Sequence, residues 1–299
     1  MILPEFSEYF QGEAREHLMA ILELSLAEDG PDLTTEGVFA PGDRLHAIIV
    51  AKERTLIAGL PVIPLVMDLC AAHPEELSYT WQCLVKEGEE AVPGTLVARL
   101  SGPARQILRA ERVILNVVSH LCGIATLTRR YVQALEGTGV RLLDTRKTMP
   151  GLRYPDKYAV LCGGGHNHRR NLAEMLMLKD NHIDAAGSIT GAVQALRARY
   201  NPCPPIEVEC RNCDEVREAV ACKVERIMLD NMSPDRLPEA LELVPSSIET
   251  EVSGGVSLDT IRDYAMASPR RKPDFISVGR ITHSAVTADL SMRIAKESL

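Results

Sequence analysis

The hydrophobic pattern changes character near residue 140. Beyond it, short apolar runs recur at 140–143, 175–178, 206–208, 227–229, 248–252 and 275–278, and most end at a charged residue or a glycine. Helix-like stretches at 189–199, 213–221, 234–243 and 258–267 separate the later runs. Strands alternating with helices at this spacing predict βαβ units and a parallel sheet. Polar residues at the C-terminal ends of the runs favour a barrel with its site at that face. A doubly wound sheet stays open on pattern alone.

The first half reads differently. A mixed polar and apolar stretch at 7–27 predicts a helix, broken at Gly30 and Pro31. Runs at 45–52 and 55–58 are rich in β-branched residues and predict strands; 95–100 predicts another. Residues 61–72 predict a short buried helix with Pro61 near its first turn. Residues 77–85 alternate, with Tyr79, Trp81 and Cys83 against Ser78, Thr80 and Gln82, as an antiparallel strand does. Together these predict an open α+β sheet domain. Apolar positions then recur at helical spacing over 103–135, with an interruption expected at Gly123. This stretch carries Glu111, Arg112, Asn116 and His120 as polar residues; a charged pair on a helix is ordinarily solvated.

Composition narrows the function classes. The chain has 299 residues, enough for a large core and two domains. A formal charge of -8 and 4% aromatic residues disfavour a nucleic-acid footprint and a base-stacking platform. No basic region followed by an apolar core opens the chain, and the apolar run at 56–72 is interrupted by Gly59, Pro61, Pro64 and Asp68. A cytoplasmic enzyme without membrane or nucleic-acid partners is therefore expected. The eight cysteines are expected to be free thiols. Cys210 and Cys213 have a metal or redox spacing but lack a second pair, so Cys210 is expected to end a strand and Cys213 to open a helix.

The chemistry concentrates between residues 141 and 182. This stretch holds eight basic and four acidic side chains, three histidines and Gly163-Gly164-Gly165. Arg146 and Lys147 follow one strand, His168 and Arg169 follow the glycines, and Lys179 follows the next strand. Convergent cations of this kind suit a substrate with two carboxylates or phosphates. Glu209 and Asp230 end adjacent strands; they could hold Mg²⁺ with substrate phosphates, stabilise a cationic sugar, or cap the next helices. Glu207 faces the same side as Glu209, one step deeper, and is the alternative. Ser253-Gly254-Gly255 and Gly279 end two late strands, as at barrel phosphate sites. His283 follows, as a phosphate support or a structural histidine. There is no Gly-x-Ser-x-Gly elbow, Walker loop or dinucleotide fingerprint.

These motifs resemble the quinolinate phosphoribosyltransferase family. The matching pieces are Asp144 to Thr148, Lys157 to Val160, Cys162 to Arg169, Lys179 to His182, and Glu111-Arg112 with Asn116. The resemblance covers nearly the whole chain. It implies an incomplete, seven-stranded α/β barrel over residues 117–283. An N-terminal sandwich domain is expected over 1–116, joined by 284–299. It implies transfer of phosphoribosyl to quinolinate with loss of CO2, giving nicotinate mononucleotide. Arg146, His168, Arg169 and Lys179 would grip the dicarboxylate, with Arg112 reaching in from the neighbouring subunit of a homodimer. Lys147 would face phosphoribosyl pyrophosphate, and Glu209 and Asp230 the Mg²⁺ and ribose. Met149 and Leu161 depart from the family pattern, where threonine and a basic residue are common. A relative using another acceptor, or a non-catalytic anion sensor, are the competing readings. The retained cations argue against the first, and acids in the pocket against the second.

Overall fold

The computed structural model describes residues 3–71 and 78–295. Expectations that touch residues 72, 77 and 296–299 lie in part outside the described residues. In chain order the first elements are α1 (Phe6–Tyr9), α2 (Glu13–Asp29), α3 (Leu33–Val38), β1 (Arg44–Ala51), β2 (Thr55–Leu56) and α4 (Val62–Cys70). Then follow β3 (Thr80–Cys83), β4 (Glu90–Ala91), β5 (Leu96–Pro103) and α5 (Ala104–Ala134). The second half runs β6 (Arg141–Leu143), α6 (Arg153–Cys162), β7 (Leu176–Leu178), α7 (Asp180–Ala186), α8 (Ile189–Arg199), β8 (Ile206–Cys210) and α9 (Cys213–Ala221). It ends with β9 (Arg226–Asp230), α10 (Leu237–Leu243), β10 (Glu249–Ser253), α11 (Ile261–Ala265), β11 (Phe275–Ser277), α12 (Arg280–His283) and β12 (Leu290–Ala295).

Two compact units emerge. One comprises the chain up to Arg129, Thr148–Gly164 and the segment from Ile281; the other comprises Arg130–Lys147 and Gly165–Arg280. The division therefore falls inside α5 rather than at 116/117, and α6 belongs with the N-terminal unit. Aromatic packing accounts for the placement of α6. Tyr158 is fully buried, with the rings of Phe6, Tyr9 and Phe10 centred 5.2–5.5 Å away. The Tyr9 hydroxyl donates to the Tyr154 carbonyl at 3.2 Å.

The N-terminal unit is built on an antiparallel sheet in the order β12-β1-β5-β3. The expected interruption at Gly123 is absent: α5 is one helix of 31 residues. Gly123 is there for a different reason. A Cβ on it would lie 2.1 Å from the Val286 carbonyl oxygen, so the glycine admits the backbone leading to β12. By length and composition α5 could cross a membrane, yet Ile107, Ile114, Leu121 and Cys122 are fully buried, as in a core helix.

The second unit is a parallel sheet in the order β6-β11-β10-β9-β8-β7. The last strand of the series, β11, pairs with the first, β6, while β7 ends the sheet on the other side. Six strands are present among the described residues, rather than the seven implied by resemblance. A single parallel bridge between Leu143 and His166 extends the sheet beyond β6. As expected, Cys210 ends β8 and Cys213 opens α9, with Asn212 accepting from the Asp214 and Glu215 amides as N-cap.

Candidate active site

A cavity of about 610 Å³ opens where the parallel strands of the second unit end, a size suited to small molecules. Its walls carry Thr145, Arg146 and Lys147 after β6, His168 and Arg169 after the bridge, and Met177 and Lys179 from β7 and just after it. Glu209 comes from β8, Met228, Asp230 and Asn231 from β9 and the residue after it, Glu251, Ser253, Gly254 and Gly255 from β10 and its turn, and Ser277 from β11. Ten of the thirteen residues singled out in the sequence thus meet in one cavity. Gly279 stands two residues beyond the end of β11. Arg112 is an exposed residue of α5, and His283 is exposed on α12 with Nδ1 2.7 Å from the Ser284 hydroxyl.

The basic stretch does not converge as a whole. Lys157 is fully buried within α6, Arg170 pairs with Glu174, and Arg141 stacks over the Phe275 ring at 4.0 Å. Backbone geometry selects the rest. The buried Asp144 accepts from the His168 amide at 2.8 Å and from Asn167 Nδ2 at 2.7 Å. This pins the loop carrying His168 and Arg169 against the end of β6. Gly164, at φ +88°, lets the chain reverse before it. Arg169 donates through Nη1 to the Met175 carbonyl at 2.9 Å, which fixes its side chain along the wall. Crowding between cations is visible in its lowered pKa, set first by burial and then by Arg146.

Lys179 Nζ lies 3.3 Å from Glu209 Oε2. Burial raises the Glu209 pKa, Lys179 opposes the rise and the Asp230 charge adds to it. Asp230 Oδ2 accepts from Asn231 Nδ2 at 2.6 Å. Two neighbouring carboxylates form an oxygen-donor set for a hard divalent cation. On the adjoining strand end, Gly254 has φ +92°, and a Cβ there would sit 2.2 Å from Asn231 Oδ1. The turn therefore requires glycine and presents bare backbone to the cavity.

Beneath the mouth lies a polar layer in which His168 and Glu207 were singled out from the sequence and Glu251 was not. His168 Nε2 is 2.9 Å from Glu207 Oε2 and 3.5 Å from Glu251 Oε2, and all three side chains are buried. His168 Nδ1 accepts from the Arg169 amide at 2.7 Å, so Nε2 carries the proton that faces the carboxylates. Glu207 thus supports His168 rather than sharing the position of Glu209. Arg226 Nη1 approaches Glu251 Oε2 at 3.4 Å. Burial, followed by the Glu207 charge, lifts Glu251 to about 8, and burial lifts Glu207 to about 7. The signal for Glu251 was available: it stands two residues before Ser253 on one strand, hence on the same face one layer deeper.

Fold and cavity together define an α/β barrel protein whose mouth is made for a small polyanion. The comparisons with known proteins specify it further. A family model described as "Quinolinate phosphoribosyl transferase, C-terminal domain" matches residues 124–293, and its N-terminal counterpart matches residues 32–122. A Synechocystis protein named "Probable nicotinate-nucleotide pyrophosphorylase (carboxylating)" is 43% identical over 280 residues, 92% of each chain. The Arabidopsis thaliana protein named nicotinate-nucleotide pyrophosphorylase (carboxylating), chloroplastic, is 36% identical over 94% of this chain and 83% of its own. The crystal structure of NadC from Streptococcus pyogenes superposes with a TM-score of 0.86 at 37% identity, covering 95% of this chain and 98% of that one. The chain belongs to the quinolinate phosphoribosyltransferase family.

Proposed function

We propose that this chain transfers the phosphoribosyl group of phosphoribosyl pyrophosphate to quinolinate and decarboxylates the adduct, giving nicotinate mononucleotide, pyrophosphate and CO2. The observation that carries this reading is the meeting of Arg146, Lys147, Arg169 and Lys179 with Glu209 and Asp230 in one cavity. Four cations answer two carboxylates and a polyphosphate; two carboxylates among them suit a bound divalent cation and a sugar that becomes positively charged. Arg146, Arg169 and Lys179 would hold the dicarboxylate, with the His168 ring fixing its orientation. Lys147 would face the departing pyrophosphate, and Ser253 to Gly255 the 5-phosphate, with Gly279 as further support. Glu209 and Asp230 would hold Mg²⁺, which offsets negative charge on the pyrophosphate when bound. The same pair would stabilise the cationic ribose. The pyridine nitrogen carries its own lone pair, so no general base is needed for attack. We further propose a homodimer in which Arg112 completes the neighbouring site.

The test is direct. Purified protein with phosphoribosyl pyrophosphate and Mg²⁺ should form nicotinate mononucleotide and CO2 from quinolinate, and no nucleotide from nicotinate. Product from nicotinate and not from quinolinate would sink the two-carboxylate reading of the pocket.

A further inference from the structure

The proposed reaction needs one more group than the mouth of the cavity assigns. When the bond from C2 to its carboxylate breaks, CO2 leaves and the electron pair stays on C2 beside the positively charged ring nitrogen. C2 must then take up a proton. The two arginines have no proton to give at ordinary pH, and Lys179 is paired with Glu209 at 3.3 Å.

Glu251 meets the requirements of a donor. It contributes to the lining of the cavity, its side chain is fully buried, and its Oε1 has no hydrogen-bond partner among the described residues. Its other oxygen is turned toward His168 Nε2 at 3.5 Å and Arg226 Nη1 at 3.4 Å. One oxygen is therefore turned to protein cations, while the carboxyl as a whole lies in the layer that lines the site, beside Glu207 and the Ser277 hydroxyl. On the reading proposed above, we infer that Glu251 is the acid that protonates C2 after CO2 departs. Its O–H bond breaks as the C2–H bond forms. The resulting carboxylate is stabilised by the His168 Nε2–H and by Arg226, and solvent returns the proton once product leaves. Glu251 is held in its acid form at neutral pH by burial and by the Glu207 charge; His168, Ser277 and Arg226 pull the other way.

The experiment is a single turnover of Glu251→Gln with quinolinate, phosphoribosyl pyrophosphate and Mg²⁺, following pyrophosphate and nicotinate mononucleotide separately. Pyrophosphate release should stay within about threefold of wild type, while nicotinate mononucleotide formation falls about 100-fold. With no proton delivered, the electron pair on C2 recaptures CO2, and a nucleotide still bearing both carboxylates should accumulate. Equal loss of both products would mean that Glu251 only positions its neighbours, and unchanged formation of both would remove it from the reaction; either overturns the inference. If the variant does not fold, the wild type decides. Its first-turnover ratio of nicotinate mononucleotide to pyrophosphate should fall between about pH 6.5 and about pH 9 as Glu251 loses its proton. A constant ratio overturns the inference. Wild-type protein that releases no pyrophosphate from quinolinate would instead overturn the underlying function, a result separable from the others.

Discussion

Lys179 and Glu209 show how single residues are tuned by one another. Removing the lysine leaves a half-buried carboxylate beside Asp230 with its nearest cation gone. Lys179→Ala should therefore lower kcat/KM for quinolinate by about 100-fold or more, measured at saturating phosphoribosyl pyrophosphate, without loss of the folded state. Gly254 is constrained by backbone instead of charge. At φ +92°, with Asn231 in the way of any Cβ, Gly254→Ala should raise KM for phosphoribosyl pyrophosphate more than for quinolinate. Steady-state kinetics with each substrate varied in turn checks this. Glu251 also links the site to stability. Its folded pKa, about 8, lies above the ordinary glutamate value of 4.5, so the folded chain holds a proton the unfolded chain has released. The stabilisation this provides is complete below the unfolded value and is lost as pH rises through about 8. The slope is at most about 1.4 kcal/mol per pH unit for one proton. Thermal melts from pH 6 to pH 9 at fixed ionic strength should show Tm falling, and Glu251→Gln should flatten that fall.

Individual elements reveal what the sequence could carry. The strands of the parallel sheet and helices α8 and α9 were legible because each has a clean period and a clear stop, such as Asn212 before α9. Helix α6 was not. Tyr154 to Val160 and Cys162 are all buried, charged residues included, so no polar face marks it as amphipathic. The candidate site was legible at the strand ends, where Arg146, Lys179, Glu209 and Asp230 break apolar runs. In the layer below, Glu207 was legible as the residue one step deeper than Glu209, whereas Glu251 was missed because it sits inside a strand, where burial rather than position gives it its properties. Gly123 misled for a related reason: a glycine within a helical pattern reads as a break when judged locally, but here tertiary packing decides. Helix propensity alone would make Gly123→Ala stabilising by about 1 kcal/mol. The 2.1 Å approach of the Val286 carbonyl predicts the opposite, a net loss of about 1–3 kcal/mol as the segment leading to β12 is displaced. Chemical denaturation of the two proteins gives the sign.

At the scale of the whole molecule, the proposed dimer makes each site a product of two chains. Arg112 is exposed on α5, among buried neighbours Val113, Ile114 and Leu115. An exposed arginine on a core helix gains little from solvent pairing. It gains much if a second copy brings a polyanion within reach, and a twofold dimer would do this reciprocally. Arg112→Ala and Lys179→Ala would each then be inactive alone, for different reasons. The first lacks the arginine it lends, and the second lacks the lysine it keeps. After unfolding and refolding together, half the dimers should be mixed, and each should contain one site with both groups. Recovered activity should approach about a quarter of wild type for an equal mixture. Mixed dimers isolated by two affinity tags should reach about half. Inactive mixed dimers would place Arg112 outside the site, and each barrel would have to close its cavity with its own residues.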